Sequence, residues 1–65
     1  MKNLKSKYES NKYKHYMFEV NGSEDYWMIQ HEINIIRDNY KDKSVHNIEI
    51  EDKDGQVVAV IVEVY

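Results

Sequence analysis

The chain has 65 residues, no cysteine, no proline and a formal net charge of −3. A chain of about 60 residues forms one domain at most and buries only about 60% of the surface that its unfolded form exposes, so its core is thin. Without cysteine, disulfides, thiolate metal sites and cysteine nucleophiles are excluded, which leaves dense packing or self-association as sources of stability.

Composition and hydropathy indicate the source of the protein and its location in the cell. Lys, Asn, Ile and Tyr are abundant, a bias expected from AT-rich coding sequence and hence from a low-GC bacterium or one of its phages or mobile elements. No apolar run approaches the roughly 18 residues that a membrane-spanning helix needs, and no apolar segment follows the basic N-terminus as it would in a signal peptide. We therefore predict a cytoplasmic protein with no membrane partner.

The charge is unevenly distributed along the chain. Residues 1–18 contain five lysines and one carboxylate, Glu9, whereas residues 19–65 contain four basic and eleven acidic side chains. Such a division is typical of a basic arm on an acidic body. We predict a basic N-terminal arm over residues 1–12, whose order the sequence leaves open, and a single small α+β domain over residues 13–65.

The predicted domain begins with a strand and a helix. Residues 13–20, YKHYMFEV, alternate between two faces and contain the aromatic and β-branched residues that are typical of strands. After an Asn-Gly turn, Ser23 is the predicted N-cap of a helix from about Glu24 to about Tyr40, because a capping hydroxyl and acidic residues in the first turn both stabilise a helix N-terminus.

Two further strands complete the predicted domain. Residues 45–51, VHNIEIE, alternate cleanly, and the final QVVAVIVEVY is apolar on both faces, as a central strand tends to be. Between them, DKDG predicts a type I turn in which Gly55 supplies a positive φ. We place the first strand beside the last one, which puts the most apolar strand in the centre. The predicted fold class is α+β in the order β-α-β-β, with one helix packed on a three-stranded antiparallel sheet.

The hairpin turn also predicts a register for these two strands. Counted from this turn, Ile50 lies opposite Val58 and Ile48 lies opposite Val60, on the side that faces the helix. His46 shares that face and is predicted to be a packed histidine at the edge of the core. The opposite face would carry Val45, Val57, Ala59 and Ile61. A tighter two-residue turn in the same segment is the alternative and would shift the pairing.

The predicted helix has apolar residues on two sides. At 100° per residue, an ordinary core stripe lies within about 60° of Ile33, and it consists of Tyr26, Ile29, Ile36 and Tyr40. The reverse side carries Trp27, Met28, His31 and Ile35. Because aromatic residues and Met are enriched at the centres of protein interfaces, we predict that these four residues form a protein–protein interface.

The sequence leaves three occupants open for this reverse side. We favour a second copy in a homodimer, because a thin core invites self-association and two-fold contacts are the commonest symmetric assembly. The second is a foreign protein target. The third is the N-terminal arm, folded back over Trp27 with Leu4 and Tyr8 as its anchors.

No residue pattern in the chain specifies a reaction or a cofactor. The segment HEINI begins like a zinc-protease helix, but Ile35 stands where the second His ligand must be. His15, His31 and His46 come from three different elements without metal-ligand spacing, and EDKDGQ lacks the first and last ligands of a calcium loop. We predict a non-enzymatic protein with no metal and no cofactor.

The N-terminal arm mixes lysines with tyrosines. Such a mixture suits single-stranded nucleic acid, because lysines bind phosphates and bases stack on tyrosines. The predicted contacts are Lys5, Lys7, Tyr8, Lys12, Tyr13 and Lys14. The acidic body opposes this function, since it would repel a polyanion.

Acidic side chains are spread over the rest of the predicted domain, and such a surface can compete with nucleic acid for a basic cleft on an enzyme. In size, acidity and predicted element order, the chain is similar to small phage inhibitors of uracil-DNA glycosylase. No motif of that family matches particular residues, so no site is carried over. The predicted function is a small regulatory or inhibitory protein, encoded by a phage or mobile element, that binds and blocks a larger host protein. The alternative is a nucleic-acid-binding accessory protein that uses the basic arm.

Overall fold

The computed structural model describes residues 3–65, which form one helix on a four-stranded sheet. The elements in chain order are β1 (Leu4–Glu9), β2 (Lys14–Glu19), α1 (Ser23–Asn39), β3 (Val45–Glu51) and β4 (Val57–Val64). The strand order is β1-β2-β4-β3, and every neighbouring pair is antiparallel. The α+β class is confirmed, as is the prediction that the last strand lies between the other two predicted strands.

The sheet has four strands where the sequence predicts three, because β1 comes from residues assigned to the basic arm. A tight turn joins β1 to β2, in which the Ser10 N–H donates to the Tyr13 carbonyl at 2.9 Å and the Tyr13 N–H donates to Ser10 Oγ at 3.0 Å. Lysines are common on edge strands, where they discourage pairing with another sheet. The same polarity is typical of a solvated arm, which is why the strand was not predicted. Residues 1 and 2 of the predicted arm lie outside the described residues.

Helix α1 packs on the sheet through the predicted stripe. Ile29, Ile33 and Ile36 are buried, and Tyr26 and Tyr40 pack at the margins of the core. These residues recur every three or four positions, so they fall on one side of a helix with 3.6 residues per turn. The core stripe of the helix is therefore confirmed.

The N-terminus of α1 differs from the prediction. Ser23 is the first helical residue, so its predicted role as the N-cap is wrong, and the N-cap is Gly22, which has no side chain to bond the free helical N–H groups. Glu24 and Asp25 offset this loss, because negative charge in the first turn interacts favourably with the helix dipole. Asp25 Oδ2 also accepts the N–H of Asn21 at 3.0 Å.

The core lies between α1 and the facing sides of the two central strands. Alternate residues of β2 and β4 point to the helix, and Phe18, Val60 and Val62 have no exposed surface. The core residues are Tyr16, Phe18, Val20, Ile29, Ile33, Ile36, Val60, Val62 and Val64. Burial of this apolar surface, at about 25 cal/mol per Å², is the main force that seats the helix on the sheet.

The turn between β3 and β4 is as predicted. The Gly55 N–H donates to the Asp52 carbonyl at 3.1 Å, which closes a turn over Lys53 and Asp54, and Gly55 has a φ of 81°. Asp52 Oδ1 accepts the N–H groups of Asp54 and Gln56, at 2.8 and 3.0 Å. This local chemistry of Asp and Gly specifies the turn without help from the rest of the fold.

A β-bulge next to the turn shifts the register by one residue, so the predicted pairing of β3 with β4 is wrong. Glu51 lies opposite Val57, as counted from the turn, but Ile50 lies opposite Ala59. Because successive side chains of a strand point to opposite faces, a shift of one residue exchanges the faces. Ile48 and Ile50 are therefore not in the core.

The two faces of β3 are exchanged as a result. His46, Ile48 and Ile50 share one face, as predicted, but this face points away from the helix and all three residues are exposed. The side toward the helix carries Val45, which packs against the core, and Asn47, whose side chain accepts a hydrogen bond from α1 at 2.7 Å. The prediction that His46 packs at the edge of the core is wrong.

Candidate functional site

The four residues predicted to form an interface lie together on the outer side of α1. The exposed fraction is 69% for Trp27, 40% for Met28 and 46% for Ile35, and His31 is also exposed. The core stripe of the helix is complete without them, so they are not needed to hold it on the sheet. Exposed apolar clusters of this kind mark interaction sites. We call these four residues the Trp27 surface.

Trp27 lines two hollows in the surface of the protein. The larger has a volume of about 560 Å³ and lies where the N-terminus of α1 approaches β4. It is lined by Val20, Asn21, Gly22, Ser23, Tyr26, Trp27, Gln56, Val57 and Val58. The smaller, of about 420 Å³, is lined by Trp27, Met28, His31 and Glu32. The ring also packs edge-to-face on Tyr26, with centroids 5.4 Å apart, which restrains it while leaving most of it accessible.

The larger hollow is connected with the β-bulge. Val57, which the sequence places on the far face of the sheet, packs against the core, while Val58 is 39% exposed, and both residues line the hollow. In a regular strand, consecutive side chains point to opposite faces, and a bulge relaxes that rule. The Val20 N–H donates to the Val58 carbonyl at 3.0 Å, which joins the end of β2 to this part of the rim.

Carboxylates surround the Trp27 surface. Residues 19–32 contain four acidic side chains and no lysine or arginine. Glu24 and Asp25 occupy the first turn of α1, and Glu32 lines the smaller hollow. The surface therefore combines an apolar centre with a negative rim.

The N-terminal segment does not cover Trp27 within the described residues. Strand β1 pairs with β2 at the edge of the sheet, where Leu4 packs against the core and Tyr8 is 59% exposed on the other face. An irregularity between Leu4 and Ser6 places these two predicted anchors on opposite faces. The interpretation in which the arm folds back over Trp27 is therefore wrong.

The face of the sheet that points away from α1, here called the open face, carries a second exposed apolar surface. Met17 and Ile48 lie on either side of Ile61 in one cross-strand row, and Ile50 pairs with Ala59 in the next. An antiparallel sheet with one solvated face usually carries polar residues there. This strip was missed because the predicted register assigns Ile48 and Ile50 to the core.

The lysines predicted to bind nucleic acid do not form one patch. Lys5 and Lys7 each form an ion pair, of 3.1 and 3.3 Å, with carboxylates of the same hairpin. Lys14 Nζ lies 5.1 Å from the centroid of the Tyr40 ring, on the helix side of the sheet. Lys12 is exposed in the turn between β1 and β2. Their side chains therefore do not converge on one surface.

The predicted tyrosines do lie together, in a row of rings at one end of the open face. Ring centroids are 6.2 Å apart for Tyr8 and Tyr13, 6.2 Å for Tyr13 and Tyr65, and 5.2 Å for Tyr65 and His46, whose rings are nearly parallel. His15 adjoins Tyr13 at 6.3 Å. We call these five residues the aromatic row. Sequence reasoning missed His15, although it lies only two residues after Tyr13 on the same face. It also missed His46 and Tyr65, because only the strand order brings these two into one row with Tyr13.

Tyrosine–carboxylate hydrogen bonds tie several of these elements together. The hydroxyl of Tyr13 donates to Glu63 Oε2 at 2.8 Å, and this bond raises the pKa of Tyr13. The Tyr26 hydroxyl donates to Glu49, which raises the pKa of Tyr26 and links α1 to β3. The first bond holds the central ring of the aromatic row against β4.

Within residues 3–65, no three His, Asp or Glu side chains are placed to hold a metal ion. No helix in the same range is long and apolar enough to cross a membrane. Comparisons with protein-family models, curated proteins and solved structures find no match to the chain.

Proposed function

We propose that the protein is a small non-enzymatic regulator or inhibitor that binds and blocks a larger protein through the Trp27 surface. The observation that carries the proposal is Trp27 itself, an indole that is 69% exposed within an apolar cluster and that lines two hollows. Trp is among the residue types that dominate binding energies, and such residues lie near the centre of an interface. A partner can insert apolar side chains into the hollows that this ring lines.

The negative rim indicates the chemistry of the partner. Glu24 and Asp25 in the first turn of α1 and Glu32 beside the smaller hollow form this rim, so an apolar pocket bordered by lysines or arginines would be complementary. Such complementarity raises the association rate and excludes wrong partners. Basic clefts that bind nucleic acid have this character, and a protein seated in one of them would block it. The proposed class of target is therefore a nucleic-acid-binding host protein.

A second copy of the chain is the alternative occupant that we propose for the Trp27 surface. In a two-fold homodimer the same patch meets itself, so Glu24 and Glu32 of one copy would approach the acidic rim of the other. Like charges that face each other across an interface are unfavourable. A foreign basic partner fits this surface better than a second copy does.

Capture from nuclease-treated lysate of a low-GC bacterium, followed by binding measurements with the purified partner, tests the proposal. We expect Trp27→Ala to weaken binding by at least about 30-fold, the effect of losing a residue worth 2 kcal/mol or more. The matched control is Tyr8→Ala, which removes an exposed aromatic ring from the other face of the molecule. Equal binding by the Trp27 variant would contradict the proposed surface. Loss of all capture after nuclease treatment would contradict the proposed function.

A further inference from the structure

We propose that the aromatic row is a stacking platform for single-stranded nucleic acid, separate from the Trp27 surface. The exposed fraction is 59% for Tyr8 and 53% for Tyr65, and His46 is also exposed, so three of its rings are accessible to a ligand. Bases of any sequence can stack on such rings, because every base has a π-face. The two sites are at opposite ends of β4, which runs from Val57 beside the larger hollow to the residue before Tyr65.

Three of the rings, those of Tyr13, Tyr65 and His46, are restrained before any ligand binds. The Tyr13 hydroxyl donates to Glu63, and Tyr65 forms backbone hydrogen bonds of 2.7 and 2.9 Å with Ser44. His46 lies on β3, two residues after Ser44, and its ring therefore lies beside the ring of Tyr65 and stacks on it. The row crosses all four strands, a width of about 14 Å at 4.7–4.9 Å per strand spacing. Because the platform is already ordered, binding loses little side-chain entropy.

Basic side chains gather at the same end of the molecule, although they come from separate parts of the chain. The Ser44–Tyr65 hydrogen bonds place the loop after α1, with two exposed lysines, beside the turn between β1 and β2. Among residues 3–65, this end carries five lysines and three carboxylates, and hence a charge of +2: Lys7, Lys12, Lys14, Lys41 and Lys43 against Glu9, Asp42 and Glu63. In the same described range, the opposite end carries two lysines and six carboxylates, and hence −4: Lys5 and Lys53 against Glu19, Glu24, Asp25, Glu51, Asp52 and Asp54.

Two carboxylates at this end have partners in the structure, Glu9 on the helix side of the sheet and Glu63 on the open face. Glu9 forms an ion pair with Lys7 at 3.3 Å and accepts the hydroxyl of Tyr16 at 3.0 Å. Glu63 accepts the hydroxyl of Tyr13 at 2.8 Å. The charge of Glu9 is therefore balanced by Lys7, whereas Glu63 keeps its negative charge beside the rings, and the lysines at this end must offset it.

Distance and salt screening decide whether the carboxylates at the acidic end repel a nucleic acid bound at the aromatic row. The molecule is 36 Å long, whereas the Debye length is about 8 Å at physiological ionic strength and about 30 Å at 0.01 M salt. The carboxylates near the Trp27 surface are therefore screened from the aromatic row under physiological conditions. With only two or three lysines at phosphates, the logarithm of affinity should fall with the logarithm of salt concentration with a slope of only about −1.5 to −2, since each contact contributes about −0.7 for single strands. Stacking supplies the rest of the affinity.

Fluorescence anisotropy of a short labelled oligothymidylate, titrated with the full chain at several salt concentrations, tests this platform. We expect Tyr8→Leu and Tyr65→Leu each to weaken binding by roughly 5- to 150-fold, the range for loss of one base–aromatic stack, and Lys43→Gln to lower the salt slope. Trp27→Leu is the matched control, because it removes an exposed ring at the other end of the molecule, and it should leave the affinity unchanged. Circular dichroism of each variant checks that the fold is retained.

Three results would overturn the platform. The first is no anisotropy change with the unsubstituted chain at low salt, and the second is equal affinity in the Tyr8→Leu, Tyr65→Leu double variant. The third is a molecular mass that falls in the double variant with no oligonucleotide binding, which would assign the row to contact between two copies.

Discussion

Ile33 and Ile35 allow the two-sided helix to be tested with the same substitution at two positions. Ile33 is 1% exposed and Ile35 is 46% exposed. Truncation of a buried Ile to Ala costs about 2–5 kcal/mol, because it removes apolar burial and leaves a cavity. Full burial of an Ile side chain contributes about 1.5–3 kcal/mol, so the half-buried Ile35 contributes about half of that, and the higher helix propensity of Ala offsets a few tenths of a kcal/mol. We expect Ile33→Ala to lower the free energy of unfolding by about 3 kcal/mol and Ile35→Ala by less than about 1 kcal/mol.

Urea unfolding followed by circular dichroism, with Trp27 fluorescence as a second probe, measures this difference. With a slope of about 1 kcal/mol per molar urea, the two midpoints should lie about 2 M apart. A small domain has about 0.05–0.15 kcal/mol of stability per residue, so the milder Ile33→Val, expected to cost about 1 kcal/mol, belongs in the same series. Equal losses at the two positions would refute the assignment of Ile35 to the solvent side. A midpoint that then rises with protein concentration would show that another copy buries it.

Gly55→Ala is expected to lower the free energy of unfolding by about 1 kcal/mol in the same urea assay, because Gly55 has a φ of 81°, a conformation that strains L side chains. Gly55→Asn, which tolerates that conformation, should recover most of the loss. Stability should also fall as pH rises above about 10, because burial, followed by hydrogen bonding, raises the pKa of Tyr16 and the unfolded chain then loses the proton first. Tyr16→Phe should flatten the alkaline part of a thermal-melting series, and a series unchanged by this substitution would contradict that cause. At low pH, the hydrogen bond from Tyr16, followed by the one from Lys7, lowers the pKa of Glu9. The contribution of Glu9 to the free energy of unfolding is therefore lost as pH falls below about 4.5. Glu9→Gln should make the stability less dependent on pH in this acid range. Light scattering should give the same mass for the unsubstituted chain and the Trp27→Gln, Ile35→Gln double variant, because the acidic rim disfavours contact between two copies; a lower mass in the variant would identify a homodimer seam.

The elements that the sequence predicts well are those whose signals are local. The stripe through Ile29, Ile33 and Ile36 repeats at the helical period, so it can be recognised within one segment. The turn at Asp52 to Gly55 depends on one carboxylate and one glycine that adopts a positive φ. Even the position of β4 in the centre of the sheet follows from its own composition, since only a strand covered on both sides needs to be apolar throughout.

Strand β1 shows where composition misleads. Its lysines and exposed tyrosine suit a solvated arm and an edge strand equally well, because an edge strand is itself largely in contact with water. What distinguishes the two is pairing with β2 through the turn at Ser10. That pairing also places Leu4 on the core and Tyr8 on the open face, an arrangement that spacing alone does not predict.

The candidate sites divide in the same way. By itself, the sequence determined that Trp27 and Ile35 lie on the side of α1 opposite the core stripe, because a helical period assigns both sides at once. Only the tertiary structure decided that the N-terminal segment, from residue 3 onward, leaves Trp27 uncovered, and that Tyr65 and His46 join one row of rings. It also moved the isoleucines of β3 to the open face through a single bulge. The physical reason is that periodicity is a property of one segment, whereas strand register depends on two paired segments. Insertion of one residue into either strand moves every following side chain to the opposite face of the sheet.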